Sequence, residues 1–290
     1  MSECGNRFLA AGQPGIVSLE LLELFARLAP DMSASEIVAL AAAGGIAGVM
    51  NAVAGGGTLV TFPVLLFFGT PPLAANATST LALVFGTAGS VYGFRRQITP
   101  VKGWLKRFLP VSLVGGLAGG ILLTRTREAV FARMVPYLIL FATIVFVSQG
   151  AFRRFAGFSP KTDTATRPHH RAVGAAVLFQ FFVALYGGYF GAGIGILMLA
   201  SLGYLGLTNI HEMNALKTVL SSAINQVAAL YFVFAGLIDW PKALVMTAGA
   251  VAGYFLGAHY SQRLPQQGVR RIITAVGFII TAVMFYRQLR

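Results

Sequence analysis

Apolar residues fill the chain in long runs, broken at short intervals by polar or basic clusters. In the first half the runs lie near 37–50, 58–69, 74–94, 107–124 and 130–150. In the second they lie near 172–190, 194–207, 212–237, 242–261 and 270–286. A membrane span needs roughly 20 apolar residues. Most runs therefore predict membrane helices, while 58–69 and 194–207 are too short to cross upright. "SASE" at 33–36 predicts a helix start, with Ser33 as N-cap and Glu36 at N3. Upstream, "IVSLELLELFARLA" (16–29) carries Glu20, Glu23 and Arg27 and does not read as a cleavable signal. It predicts an amphipathic interfacial helix, touching a membrane or partner, or a solvated leader helix.

The pattern breaks twice within apolar surroundings. "AVAGGGTLVTFP" (52–63) holds Gly55, Gly56 and Gly57, then Thr58, Thr61 and Pro63. "FGAGIGIL" (190–197) holds Gly191, Gly193 and Gly195. Glycine and proline are poor residues for a helix interior. The two breaks are related by a single ungapped shift of 138 residues. It sets Gly55 on Gly193, Gly57 on Gly195, Asn76 on Asn214, Thr80 on Thr218, Gly115 on Gly253 and Arg133 on Arg271. One register that pairs Asn, Thr and Arg as well as Gly points to duplication. The expected fold is an all-α polytopic membrane protein of two homologous halves, with about 8–10 spans and a glycine-broken or re-entrant helix in each half. The expected units are an N-terminal interfacial segment 1–35, a first repeat 36–152, a basic linker 153–171 and a second repeat 172–290.

Composition supports the membrane reading. Of 290 residues, 56% are hydrophobic and 11% charged, against about 25% charged in soluble domains. The mean hydropathy is +0.74. The net charge is +13, from 22 Lys+Arg against 9 Asp+Glu. In a soluble chain that excess would suggest nucleic acid. Here the basic residues sit between apolar runs, so they read as positive-inside topology and contact with anionic headgroups. Arg95, Arg96, Lys102, Lys106 and Arg107 form one cluster, and Arg153, Arg154, Lys161, Arg167 and Arg171 another. The rule puts both on the cytoplasmic side with Arg263, Arg270 and Arg271, which makes the halves an inverted repeat. Arg125, Arg127 and Arg133 then lie outside, against that rule, and re-entrant short segments would instead make the repeats parallel. The single cysteine, Cys4, excludes an internal disulfide and a cysteine-rich metal site.

Paired broken helices point to a transporter's substrate site. Irregular backbone at membrane depth survives where protein buries it or where it lines a wet cavity. A glycine break beside a helix start presents free N–H groups and the positive end of the helix dipole, both of which attract anions. Downstream of the second break, Asn214, Thr218, Ser221 and Asn225 recur at spacings of 4, 3 and 4, on one helical face, with Lys217 at its edge. Asn76, Thr80, Leu83 and Thr87 hold the equivalent positions in the first half. The candidate substrate site is therefore Asn51, Gly55, Gly56, Gly57, Thr58, Asn76, Thr80, Gly191, Gly193, Gly195, Asn214, Lys217, Thr218 and Ser221. Against it stand two structural readings: close packing by small residues, and interhelical hydrogen bonds by Ser, Thr and Asn. Lys217 also reads as a snorkelling side chain near a helix end. Gly115, Gly119, Gly253 and Gly257 read as packing positions, and His259 as interfacial.

Carboxylates are missing from the middle of every predicted span, since Glu36, Glu128, Glu212 and Asp239 lie near ends. That disfavours a cation cargo. No H-E-x-x-H, G-x-S-x-G or Walker A motif occurs. The expected function is a secondary transporter of small anions in the inner membrane, with no catalytic residue, metal, cofactor or nucleic-acid partner. An intramembrane enzyme, an assembly factor and an anion channel are the competing classes.

"NAVAGGGTLVTFPVLLFFGTPPLAANATSTLAL" (51–83) and its echo "GGYFGAGIGILMLASLGYLGLTNIHEMNALKTVL" (187–220) resemble the TauE/SafE family of sulfite-exporter-like permeases. The resemblance covers roughly residues 36–288. It implies a multi-pass inner-membrane carrier for sulfur oxyanions or small organic sulfonates or carboxylates. Ser201 stands where the first half has Pro63, a departure from the family's repeated pattern.

Overall fold

The structure, a computed structural model, describes residues 32–53, 56–93, 95–155, 170–204, 207, 209–260 and 266–289. Most of the segment 1–35, most of the linker 153–171, and Gly55 lie outside these residues. Among the described residues each half has five helices. The first half has α1 (Ala34–Val53), α2 (Thr58–Phe67), α3 (Pro72–Gly93), α4 (Arg95–Arg125) and α5 (Glu128–Phe155). The second has α6 (His170–Tyr189), α7 (Ile194–Tyr204), α8 (Ile210–Phe234), α9 (Trp240–Tyr260) and α10 (Gln266–Leu289). Adding 138 to the bounds of α3, 72–93, gives 210–231, against 210–234 for α8. The other pairs follow in order, and α2 and α7 are both short although one carries Pro63 and the other Ser201.

Among the described residues four stretches are long and apolar enough to cross a membrane: Ala34–Ala52, Ile98–Arg125, Glu128–Ser148 and Glu212–Phe234. Shorter apolar helices lie at Thr58–Phe67, Val173–Tyr189 and Thr274–Tyr286. Large apolar side chains such as Phe67, Phe182, Phe234, Phe255 and Ile279 stand exposed on the outside of the bundle. In water such a surface would drive aggregation; lipid is its natural solvent. The chain is an all-helical polytopic membrane protein.

Glycine seams hold the bundle. A Cβ on Gly115 would lie 2.8 Å from the Phe181 carbonyl oxygen, and one on Gly119 2.8 Å from the Tyr189 nitrogen. That closes α4 on α6. At the matching seam a Cβ on Gly48 would lie 2.8 Å from the Tyr254 nitrogen, and one on Gly257 2.9 Å from the Val49 Cα. That closes α1 on α9. Backbones this near leave no room for a side chain, and dispersion between the helices gains from it. Each half's first helix thus packs on the fourth helix of the other, so the halves interlock.

The contacts also fix helix directions. Along the α1–α9 seam, Gly44 meets Met246 and Gly48 meets Ala250 and Tyr254, so these helices run parallel. Gly86 meets Tyr254, and the Asp239 N–H donates to the Thr78 hydroxyl at 3.0 Å, so α3 runs the same way as α9. Gly116 meets Ile224 and Gly120 meets Ala228, so α8 is parallel to α4, as α6 is. The Asp239–Thr78 bond sets the end of α8 beside the start of α3, so the two sets are antiparallel.

Several sequence features take their expected form. The Glu36 N–H donates to the Ser33 hydroxyl at 3.2 Å, which caps α1. The Glu36 carboxylate turns elsewhere, to Lys242.

Candidate functional site

Each break is a sharp turn between two helices. Gly56 has φ +89° in the first, and Gly191 and Gly193 have φ +80° and +81° in the second. Only glycine adopts this region without strain. The breaks approach each other through α2 and α3. Phe62 of α2 packs edge-on against Phe190 of the second break, with ring centroids 5.4 Å apart. The fully buried Asn76 donates from Nδ2 to the Tyr189 carbonyl at 3.0 Å. Half 1 and half 2 therefore join here.

At the first break most backbone donors are taken, and those of Gly56 and Thr58 have no acceptor among the described residues. The Gly57 N–H donates to Asn51 Oδ1 at 2.7 Å. Those of Leu59, Val60 and Thr61 donate to the carbonyls of Gly56 or Gly57. Thr58 opens α2. Beneath it, the Thr61 and Ser79 hydroxyls pair at 2.6 Å, both fully buried. The Thr80 hydroxyl donates to the Asn76 carbonyl of its own helix at 2.8 Å. Asn76 Oδ1 is buried and has no donor among the described residues. That orphan is an acceptor, so it would repel an anion.

At the second break the donors are left open. The N–H groups of Phe190 and Gly191 point back to the Tyr186 carbonyl, and that of Ile196 to Gly193. Those of Ala192, Gly193 and Gly195 have no acceptor among the described residues. The turn itself is pinned, because the Tyr186 hydroxyl donates to the Ala192 carbonyl at 2.9 Å. The Lys217 stem lies along Gly195, its Cδ 3.2 Å from where a Cβ on that glycine would sit. Asn225 Oδ1 lies 3.8 Å from the Cβ position of Gly191. Buried donors without acceptors are costly, and a concave run of them is an anion seat.

The α8 stripe is likewise unsatisfied. Asn214, Lys217, Thr218 and Asn225 are half-buried and make no side-chain hydrogen bond or ion pair among the described residues. Ser221 differs: its hydroxyl donates to the Lys217 carbonyl and nears the Met198 sulfur at 3.7 Å. The structure thus brings Gly191, Gly193, Gly195 and Lys217 together, with Asn214, Thr218 and Ser221 on the same helix as Lys217. Asn51, Gly57 and Thr80 are engaged locally. Asn225 is the residue whose signal in sequence was its place in the 4-3-4 stripe. Among the described residues, no three His, Cys, Asp or Glu side chains gather as metal ligands would.

Comparison with known proteins bears on this geometry. A family profile described as "Sulfite exporter TauE/SafE" matches residues 40–284. A probable membrane transporter protein of Haemophilus influenzae is 29% identical over 262 residues, covering 89% of this chain and 98% of the relative. The probable membrane transporter protein YfcA of Escherichia coli is 26% identical over 242 residues, covering 82% and 84%. The probable membrane transporter protein YunE of Bacillus subtilis is 24% identical over 272 residues, covering 86% and 97%. No solved structure matches the chain. With a family match running from α1 into α10, and relatives named as transporters along nearly their whole length, the chain belongs to the sulfite exporter TauE/SafE family.

Proposed function

We propose that the protein is a secondary transporter of small oxyanions, sulfite or organosulfonates, and that the anion sits at the second break. The observation that carries this reading is the set of open N–H groups of Ala192, Gly193 and Gly195 beside the unpaired Lys217. Neutral backbone donors with a single cation hold an oxyanion without trapping it, as a carrier must. Asn214, Thr218, Ser221 and Asn225 complete the wall along α8, while Asn76 and Tyr189 join the halves behind it.

Alternating access needs two units that rock around such a site. Here they are residues 36–152 and 172–290, read as an inverted repeat. Helix direction supports that: α1 and α3 run against their equivalents α6 and α8, and α4 runs against α9. Charge supports it too. The positive-inside rule assigns the basic clusters at 95–107, 153–171 and 263–271 to one side, the cytoplasmic side of the inner membrane. Glu36, Glu128, Asp239 and Lys242 fall at the other, together with Arg125 and Arg127.

The test is flux. Purified protein in proteoliposomes should move sulfite and small sulfonates with saturation and with mutual competition. Flux rising linearly with concentration would mean a channel. Chemical change of the substrate would mean an enzyme. No protein-dependent flux of any of these anions would sink the reading.

A further inference from the structure

Lys242, in the first turn of α9, is held by four acceptors drawn from three places in the chain. Its ammonium pairs with Glu36 of α1 at 3.3 Å and with Asp239, just before α9, at 3.5 Å. It donates to the Phe68 carbonyl at 3.2 Å and to the Thr70 hydroxyl at 3.0 Å, both in the turn from α2 to α3. The side chains of Lys242 and Glu36 are each only 14% exposed. Two further bonds flank this knot. The Leu73 N–H donates to Glu128 at 3.0 Å, and the Asp239 N–H to the Thr78 hydroxyl. The start of α9 is thereby tied to α1, to the α2–α3 turn and to α3.

The repeat offers an internal control. Subtracting 138 from 242 and 239 gives Trp104 and Val101, and adding 138 to 36 gives Gly174. No charge survives at the equivalent positions. That end closes instead on apolar packing, with Val101 and Phe108 buried among Ala176, Met213 and Leu216, and Trp104 stacked on Phe108 at 5.9 Å. A duplicated fold needs no ionic knot to hold these helices together, since its other copy does without one. The knot has a second peculiarity. On its side of the bundle the polar stripe of α3 is sealed: Asn76, Thr78 and Ser79 are fully buried and each is hydrogen-bonded. In the stripe of α8, Asn214, Lys217, Thr218 and Asn225 are half-buried and make no side-chain hydrogen bond among the described residues.

We propose that the Lys242 knot is the latch of a gate at this end of the molecule, closed here, and that transport requires its release. The proposal rests on the transport reading above for its role, but its geometry stands without the identity of the cargo. Release frees the Phe68–Thr70 turn, at the start of α3, from the α1–α9 pair, whose glycine seam stays closed. The lysine and its acids then face water at the membrane surface, where exposed pairs cost little to break. An apolar closure would expose greasy surface instead, so the two ends open by different physics.

The test is side-specific labelling in the full-length protein, with Cys4→Ser and a reporter cysteine placed below the latch as Thr80→Cys. An impermeant maleimide is added from the Lys242 side of sealed, sided vesicles. Lys242→Met should raise the labelling rate from that side by about tenfold, the scale on which one charge-assisted bond shifts a two-state equilibrium. Glu36→Gln, which keeps the lysine, should act in the same direction. The exchange Lys242→Glu with Glu36→Lys should restore slow labelling. Unchanged labelling in both Lys242→Met and Glu36→Gln, with only a lower melting temperature, would make the knot a static strut and overturn the proposal. Equal gains from both sides would mean loosening of the whole fold and overturn it too. Failure of the wild type to carry sulfite or sulfonates would strike the transport reading alone, because labelling is measured without substrate.

Discussion

At the first glycine break Asn51 covers the Gly57 N–H, and those of Leu59, Val60 and Thr61 are used by Gly56 and Gly57. At the second, the equivalent of Gly57 is Gly195, and its N–H stands open beside Lys217. The repeat explains how one backbone came to behave in two ways. Adding 138 to 51 gives Tyr189. A tyrosine cannot fold its side chain back to cap the turn as Asn51 does. Its hydroxyl lies 3.4 Å from that of Thr126 and 3.7 Å from the Met134 sulfur. Its ring packs on Phe131. One residue therefore separates a capped Gly57 N–H from an open Gly195 N–H. Duplication supplied two equal breaks, and capping made them unequal.

The strongest blow to this comparison falls on the cation. Lys217 has no acidic partner among the described residues, and its equivalent in the first half is Ser79, paired with Thr61. Lys217→Ala should cut transport affinity about 10- to 100-fold, the range for losing a hydrogen bond to a charged group. Stability should hardly move, since no described residue pairs with that ammonium. Substrate-concentration series in proteoliposomes read the first effect, and thermal unfolding in detergent the second. Wild-type affinity in Lys217→Ala would move the anion away from the second break.

Much of this was legible in the sequence. The helical membrane class followed from composition, and the breaks and their pairing from glycine, proline and one constant shift. The seams at Gly115, Gly119, Gly253 and Gly257 were legible as packing, and the structure sets all four against a neighbouring backbone. The inequality of the two breaks was not legible. It depends on whether a side chain five or six residues away reaches a particular N–H, and spacing alone is silent on that. The Lys242 knot was hidden for another reason. Glu36, Thr70, Asp239 and Lys242 each read as an ordinary charge or polar group at a helix end. Only interlocking of the halves makes them neighbours.

A smaller effect comes from the glycines themselves, and it separates strain from binding. Gly56→Ala and Gly193→Ala both force a side chain into the positive-φ region, at about 1–2 kcal/mol each. Both variants should lose melting temperature by similar amounts. Flux should drop only in Gly193→Ala, where the turn presents open donors and lies beside Ala142 and Val145 of α5. Equal loss of flux in the two variants, at equal stability, would erase the distinction between the breaks.

The smallest expected change is at Asn51, and it tests the explanation rather than the site. Its carboxamide oxygen accepts from the N–H of Gly57, the residue before α2, at 2.7 Å. Losing such a hydrogen bond costs about 0.5–1.5 kcal/mol. Asn51→Ala should therefore lower the unfolding temperature slightly and leave affinity for the anion unchanged, because the freed N–H has no lysine beside it. Asn51→Asp should keep the bond, since a carboxylate accepts from the same N–H and favours a helix N-terminus. If Asn51→Ala instead weakens transport as much as Lys217→Ala, the first break touches the cargo. The two halves would then share the ligand, and the asymmetry would belong to this one conformation rather than to the sequence.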